Sequence, residues 1–143
     1  MSADHELKKI KDARDYVRDI ANDTQVWALV GVFKDKLKFS KKGRDYEELL
    51  GNLGPEDMAF AYAKIVMGDE VSRREKFILI SWVGSQVSAV KRARMMVSRC
   101  EVDQLFDQRA KVVEASDLSE LALSVIKQSL VKAGGADYGS STS

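Results

Sequence analysis

The sequence predicts an α/β fold of the α+β kind, in which a mixed β-sheet is flanked by helices on both faces. The candidate elements run helix, two strands, helix, two strands, helix, strand, helix, so the strands come mostly in consecutive pairs. The segment from Gln25 to Phe33 contains no charged residue, which is typical of an inner strand covered on both faces. A mixed sheet between two layers of helices buries all of these elements.

The first half of the chain supplies a helix, two strands and a short helix. From Asp4 to Ala21, apolar residues recur every three or four positions and form one helical stripe: Leu7, Ile10, Ala13, Val17 and Ile20. After the inner strand, the charged residues 34–36 predict a turn into a shorter strand around 37–40. A short helix follows from Gly43 to Leu50 and is ended by Gly51.

The second half begins with a hairpin. Two apolar strands, Ala59–Met67 and Lys76–Val83, flank a polar segment that forms the charged tip. A second long helix is predicted from Gln86 to about Cys100, followed by a brief helical turn around Val102–Phe106 and a further strand from Arg109 to Ala115.

The last predicted helix has a recognisable start and end. Asp117 and Glu120 have the spacing of a capping box, and Gly134-Gly135 ends the helix. We expect one domain over residues 1–136 and a flexible tail over 137–143, which is rich in Gly, Ser and Thr.

Composition excludes several classes of protein. The chain has 143 residues, 45% of them hydrophobic, which suits one globular domain. Its formal net charge of +1 gives weak overall attraction to nucleic acid or to an anionic membrane. Cys100 is the single cysteine, so no disulfide forms within the chain, as in a reducing compartment. The longest apolar run, Phe77–Val83, is too short to span a bilayer. We expect a cytosolic soluble monomer.

Residues for catalysis are scarce. The single histidine, His5, lies in a polar N-terminal segment, and Cys100 is expected to pack at the apolar edge of its helix, so no nucleophile–base pair is indicated. No Cys/His cluster suggests a metal site, and the glycines match neither a P-loop nor a dinucleotide motif. We therefore predict that the protein is not an enzyme and needs no cofactor.

The long helix carries an unbalanced basic face. Lys91, Arg92, Arg94 and Arg99 project on one side within about 160°, and no acidic residue occurs from Gln86 to Cys100. A solvated helix usually mixes charge signs to form i,i+4 pairs, so this face suggests an anionic partner. The opposite arc of about 120° is apolar and is expected to face the domain: Val90, Ala93, Met96, Val97 and Cys100.

The hairpin tip is the second basic concentration. Arg73, Arg74 and Lys76 cluster there, tempered by Glu75 and by the acidic pair 69–70. Nucleic acid, an anionic lipid surface and an acidic protein face are the candidate partners. Nucleic-acid binding is disfavoured because no aromatic residue is interleaved with either basic segment. An acidic protein face fits best, with lipid headgroups as a secondary ligand.

Several segments resemble the coactosin group of the actin-depolymerising-factor homology (ADF-H) family. Met67–Gly84 carries that group's Gly-Asp, Ser-basic-basic-x-Lys-Phe and Trp-x-Gly elements. Lys132–Tyr138 is similar to its Lys-Ala-Gly-Gly-Ala-Asn-Tyr ending. Val26-Trp27, Gly43-x-x-Tyr46 and Arg92-Ala93-Arg94 agree as well, so the likeness spans nearly the whole chain.

The resemblance implies an ADF-H fold with five or six strands and binding to the side of actin filaments. It also implies little affinity for monomers, weak or no severing, an effect on filament capping, competition with cofilin and a place in the cytoskeleton. A weak phosphoinositide contact is a further expectation. The implied actin-binding residues lie on the hairpin, the last helix and the long helix, where Lys91 and Arg99 are added from the helical wheel: Arg73, Arg74, Lys76, Lys127, Lys132, Lys91, Arg92, Arg94 and Arg99.

The chain also departs from that pattern. Arg73 stands where coactosins commonly have Lys, and Glu75 replaces a neutral residue, which puts an anion beside the proposed contact. Two other functions stay open. One is a cofilin-like severing or depolymerising factor, which the absence of a cofilin-type helix start disfavours. The other is a lipid- or nucleic-acid-binding module that uses the same basic helix.

Overall fold

The computed structural model describes residues 3–68 and 72–142. A 3-10 helix (Leu118–Leu121) precedes the last α-helix. Within the described ranges, the other helices and strands follow in this order: α1 (Ala3–Arg18), β1 (Trp27–Phe33), β2 (Lys36–Gly43), α2 (Tyr46–Leu50), β3 (Met58–Met67), β4 (Arg74–Val83), α3 (Ala89–Val97), α4 (Arg99–Leu105), β5 (Lys111–Ala115) and α5 (Leu123–Thr142).

The strands form one mixed sheet in the order β2-β1-β3-β4-β5. The first four strands pair antiparallel, whereas β5 pairs parallel to β4, because α3 and α4 carry the chain back to the start of β4 before β5 begins. The predicted mixed sheet of five or six strands is therefore confirmed with five.

Helices cover both faces of the sheet, as predicted. On one face, α2 and α5 pack through Leu49, Ile126 and Leu130 against the side chains of alternate strand residues. On the other face, α1 and the α3–α4 region pack through residues such as Ile10 and Met95. Since β3 and β4 are buried on both sides over most of their length, they form the centre of the domain.

Two hydrogen bonds join α2 to distant parts of the chain. The Trp27 indole donates to the Asp45 carbonyl at 2.8 Å, just before α2 begins. The Tyr46 hydroxyl donates to the Leu121 carbonyl at 2.7 Å, at the end of the 3-10 helix. Burial, with a smaller effect of the Glu47 carboxylate, raises the pKa of Tyr46 well above its ordinary value, so the hydroxyl stays a donor.

The Trp-x-Gly element at the end of β4 has a structural role. The Trp82 indole donates to the Gly54 carbonyl at 2.8 Å, and the Gly84 N–H donates to the Asp57 carbonyl at 2.8 Å. A Cβ atom on Gly84 would lie 2.2 Å from the Pro55 carbonyl oxygen, so only glycine fits this approach.

Several predicted boundaries were wrong. The helix α1 ends at Arg18, which leaves Ile20 outside it and 86% exposed. The helix predicted from Gln86 to Cys100 is shorter, from Ala89 to Val97, and the helical turn predicted around Val102–Phe106 is part of a second helix, α4, which begins at Arg99 just after Ser98. None of the described helices combines the length and apolar character that crossing a membrane requires.

The last helix also differs from its prediction. Asp117 and Glu120 do form a capping box, but it caps the 3-10 helix, and α5 begins afterwards at Leu123. The helix then continues to Thr142 instead of ending at Gly134-Gly135. The flexibility expected for residues 137–143 stays a prediction.

Replacing Tyr46 tests the link between α2 and the 3-10 helix. We expect Tyr46→Phe to lower the free energy of unfolding by about 1–2 kcal/mol, because the buried Leu121 carbonyl loses its donor. Urea denaturation measures the loss. Tyr16→Phe is the control, since the Tyr16 hydroxyl makes no hydrogen bond within the described residues. Equal effects of the two substitutions would contradict the role of the bond.

Candidate functional site

The pleat of β4 divides the charged residues of the hairpin between the two faces of the sheet. Side chains alternate along a strand, and Ile78 belongs to the core beneath α5. Arg74 and Lys76 therefore lie on the α5 side, where Arg74 is exposed and Lys76 half-buried. Glu75 and Phe77 lie on the opposite side, that of α1. The structure thus separates side chains that the sequence groups together.

Lys64 is the charged residue buried most deeply in this region. Its side chain is 0% exposed, and its ammonium donates to the carbonyls of Asp19, at 2.9 Å, and Asn22. Glu75 lies opposite, with its carboxylate 3.5 Å from the ammonium. The buried charge thus has three oxygen partners, which offset the cost of removing it from water.

Glu75 therefore does not act as a free anion beside the basic residues. It faces away from Arg74 and Lys76, and it pairs with both Lys64 and the Arg73 guanidinium, the latter at 3.2 Å. Glu75 does lie beside Arg73, as expected, but alternation along β4 points its side chain to the face opposite Arg74 and Lys76.

Arg73 is held at the α1–β1 loop. Besides Glu75, its guanidinium donates to the carbonyl of Asp23. Arg73 is thus tied to the body of the domain, whereas neither Arg74 nor Lys76 takes part in any ion pair of the described residues. Of the three predicted hairpin cations, Arg74 and Lys76 are thus the two without a carboxylate partner among the described residues.

The last helix brings its predicted residues to the same side as Arg74 and Lys76. Ile126 and Leu130 anchor α5 in the core on that face. Lys127 is half-buried next to this anchor, and Lys132 is exposed. Both lysines are without an ion-pair partner among the described residues.

The helix α3 exposes its apolar arc as well as its basic residues. Met95 is the residue of α3 that is buried, and Ser98, at its end, is buried as well. The apolar arc that was expected to face the domain points to solvent: Val90 is 66% exposed, Met96 66% and Val97 67%. Cys100 is also exposed, so the expectation of a packed cysteine was wrong. The helical wheel assumed one helix over residues 86–100, but α3 ends before Ser98 and a second helix follows. The side of α3 that faces the core is the side of Met95.

The basic residues of this region have different surroundings. Lys91, Arg92 and Arg94 are exposed beside the apolar arc and form no ion pair within the described part of the chain. Arg99 belongs to α4, where its guanidinium pairs with Asp103 at 3.2 Å and Glu114 at 3.7 Å. Its charge is thus compensated internally, and it does not join the other three.

The sequence analysis missed a third group of cations, on β2. Lys36, Lys38, Lys41 and Lys42 are all exposed on this edge strand. The run of lysines around Leu37 and Phe39 is visible in the sequence, but it was interpreted only as part of a short strand and not as a binding surface.

Comparison with known proteins identifies the family of the chain. A family model described as cofilin/tropomyosin-type actin-binding protein matches residues 6–131. Coactosin of Dictyostelium discoideum is 32% identical over 139 residues, which cover 95% of this chain and 94% of that protein. The chain belongs to the coactosin family of cofilin-type actin-binding proteins.

Solved coactosin structures share this fold. The crystal structure of human coactosin-like protein matches with a TM-score of 0.79 and 28% identity, over 86% of this chain and 93% of that one. The solution structure of mouse coactosin, described as an actin filament binding protein, matches with a TM-score of 0.74 and 29% identity, over 95% of both chains. The ADF-H fold expected from the resemblance is therefore confirmed, and the chain is an actin-binding protein of this type.

The Lys64–Glu75 pair is testable by a double-mutant cycle in this coactosin. We expect Glu75→Gln alone to lower the free energy of unfolding by about 1–3 kcal/mol, because Lys64 stays buried with less compensation. In a Lys64→Met background, the same change should cost at least about 1 kcal/mol less. Urea denaturation of the four proteins gives this coupling.

Glu114→Gln is the matched control for the cycle. Its carboxylate is 74% exposed beside Arg99, so we expect a change within about 0.5 kcal/mol. Additive effects of the Lys64 and Glu75 substitutions would show that the two charges do not depend on each other.

Proposed function

We propose that this coactosin binds the side of actin filaments through two separate surfaces, with little affinity for monomers and weak or no severing. The first surface is the apolar arc of α3 with its flanking cations Lys91, Arg92 and Arg94. The second consists of Arg74 and Lys76 with Lys127 and Lys132 on α5. The observation that carries the proposal is the exposure of the α3 arc, since an unpartnered apolar helix face marks an interaction site.

The distance between the surfaces favours a polymer as the partner. The helix α3 follows the Val83 end of β4, and Arg74 begins the strand at its opposite end. The 10 residues of β4, at about 3.3 Å each, span about 30 Å. In a filament, neighbouring actin subunits can bind the two surfaces at the same time. A single actin monomer is expected to bind only one of the two surfaces well. Two linked weak contacts then give filament affinity without tight monomer binding.

The two surfaces differ in what they contribute. The α3 arc supplies apolar area, which drives association by burial. The hairpin and α5 supply cations, which suit an acidic face and speed its encounter with the protein. Arg73 and Arg99 have internal carboxylate partners, so we assign them to positioning of their elements and not to the contact itself.

The rest of the proposal follows from the family. Mouse coactosin is an actin filament binding protein, which supports a filament partner for this chain. We infer that the protein acts without catalysis, as a monomer in the cytoplasm and cytoskeleton, and that it competes with cofilin and modulates filament capping. A weak phosphoinositide contact through the cations of α3 is a minor part of the proposal.

Charge reversal on the hairpin tests the second surface. We expect Arg74→Glu/Lys76→Glu to weaken co-sedimentation with actin filaments at least about tenfold, because two free cations become anions facing an acidic partner. Lys8→Glu/Lys11→Glu, on the exposed side of α1, changes the net charge equally and should pellet like the unaltered protein. Unchanged pelleting of the hairpin variant, with its fold intact by circular dichroism, would remove the hairpin from the site.

Polar substitutions on α3 test the first surface. Val90→Ser/Val97→Ser should weaken filament binding about tenfold while leaving the melting temperature nearly unchanged, because both side chains are already largely exposed. Ile20→Ser, at 86% exposure in the α1–β1 loop, is the control for loss of exposed apolar area. Binding that withstands the α3 double substitution would contradict the assigned surface.

Microscopy of labelled filaments separates this function from a cofilin-like one. We expect filament number and mean length to stay constant when the unaltered protein is added at saturating concentration. A parallel titration with monomeric actin should show weak binding. Steady fragmentation together with tight monomer binding would favour the severing and depolymerising alternative.

A further inference from the structure

The edge strand β2 and the turn before it carry lysines that the proposed actin contact does not use. Five of them are exposed along the free side of the sheet: Lys34, Lys36, Lys38, Lys41 and Lys42. The described residues form ion pairs on α1, β3, β4 and α4, but none of these pairs includes a lysine of this row. Two of the five instead lie over aromatic rings, Lys34 over Phe33 and Lys42 over Tyr16.

An apolar groove lies beside the first part of this row, where Lys34, Lys36 and Lys38 are among its lining residues. It has a volume of about 550 Å³ and is formed by α1, the β1–β2 turn and the start of α4. Ile10 and Leu37 are nearly fully buried in its floor, Leu7 is half-buried, and Phe33 stands at its rim with 63% of its surface exposed. A volume of this size accommodates one or two large apolar side chains.

Three acidic residues also line the groove. The Glu6 carboxylate is occupied internally: one oxygen accepts the Phe39 N–H at 2.9 Å and the other lies 3.8 Å from the Lys9 ammonium. Asp35 and Glu101 remain near the groove without an ion pair among the described residues. Lys34, Lys36 and Lys38 line the groove together with these acidic residues, whereas Lys41 and Lys42 lie farther along β2, outside its lining.

We propose that this edge binds an acidic, extended peptide segment of a partner protein, with an apolar anchor in the groove and carboxylates along the lysine row. From Lys36 to Lys42 the strand spans about 20 Å, the length of about six residues of extended peptide. Asp35 and Glu101 disfavour acidic residues next to the anchor, so the acidic run begins a few residues away from it. The binding is through side chains, because Glu6 already occupies the Phe39 N–H in the middle of the free edge.

Other uses of these features fit less well. Lysines on an edge strand prevent pairing with other sheets, but that role does not require an apolar groove beside the row. A bilayer surface is matched by a flat or convex face, whereas this site is concave and carries Asp35 and Glu101, which have no ion pair among the described residues. A single-stranded nucleic acid needs several stacking rings, and Phe33 is the one exposed aromatic side chain of residues 4–68 and 72–132.

The test uses the full chain and a fluorescein-labelled synthetic peptide. The peptide carries a Leu-Phe pair, a short Gly-Ser spacer and a run of about six Asp and Glu residues. Fluorescence anisotropy should show saturable binding that weakens as salt rises. Replacing Leu-Phe in the peptide by Ser-Ser should weaken binding at least about tenfold, as should the protein variants Lys36→Glu/Lys38→Glu and Phe33→Ser. Lys8→Glu/Lys11→Glu is the control with equal net charge and should bind normally.

Several outcomes would overturn the proposal. One is absence of saturable binding, and another is equal loss in the two charge-reversal variants, which would indicate bulk electrostatics. Tighter binding of phosphatidylserine vesicles or of an oligouridine through the same lysines would assign the edge to lipid or nucleic acid. Filament co-sedimentation of Lys36→Glu/Lys38→Glu should be unchanged, and its loss would make the edge part of the actin contact. Because the two assays are separate, this proposal and the filament function can each fail alone.

Discussion

The long antiparallel pairing of β3 with β4 sets the position of every surface proposed to face actin. The strands pair from Met58 with Val83 to Met67 with Arg74, and each strand is 10 residues long. One end of β4 leads into α3 and the other begins at the basic hairpin, so the length of this pairing determines the distance between the two surfaces. A slip of one residue would exchange the faces on which the hairpin charges lie.

The buried ammonium of Lys64 makes the hairpin continuous with the rest of the domain. It binds two carbonyls of the α1–β1 loop and the carboxylate of Glu75, which in turn holds Arg73. These carbonyls follow the C-terminus of α1, where the helix dipole favours a cation. Burying the Lys64 charge costs free energy, but its contacts fix the geometry between the α1–β1 loop and the hairpin. The same arrangement places Arg74 and Lys76 on the other face, where they form no ion pair with any described residue.

The surfaces that face outward are the parts of the fold least supported by internal contacts. On α3, large apolar side chains remain in water and the core receives mainly Met95. On β2, lysines repel one another with no carboxylate partners among the described residues. Both arrangements make the fold less stable than it could be. Burying the apolar side chains of α3, or pairing the lysines of β2 with carboxylates, would each add stability. The proposed site for actin and the proposed edge for an acidic peptide thus rest on different physical terms, apolar area joined to charge in the first and charge beside a groove in the second.

Local patterns in the sequence determined the elements, the mixed sheet with helices on both faces and the presence of unpaired basic segments. Periodicity and turn residues act over a few positions, and they placed most strands within a few residues. Boundaries failed where distant contacts decide them, as at Ser98 and Leu123. Only the tertiary structure decided that the apolar arc of α3 faces solvent, that Arg73 is bound to Glu75 and the Asp23 carbonyl while Arg74 lies on the other face, and that the lysines of β2 lie beside a groove. The spacing of apolar residues in the sequence shows which residues share a side of a helix or strand. Which side is covered depends on elements far along the chain, because burial is a property of the packed domain.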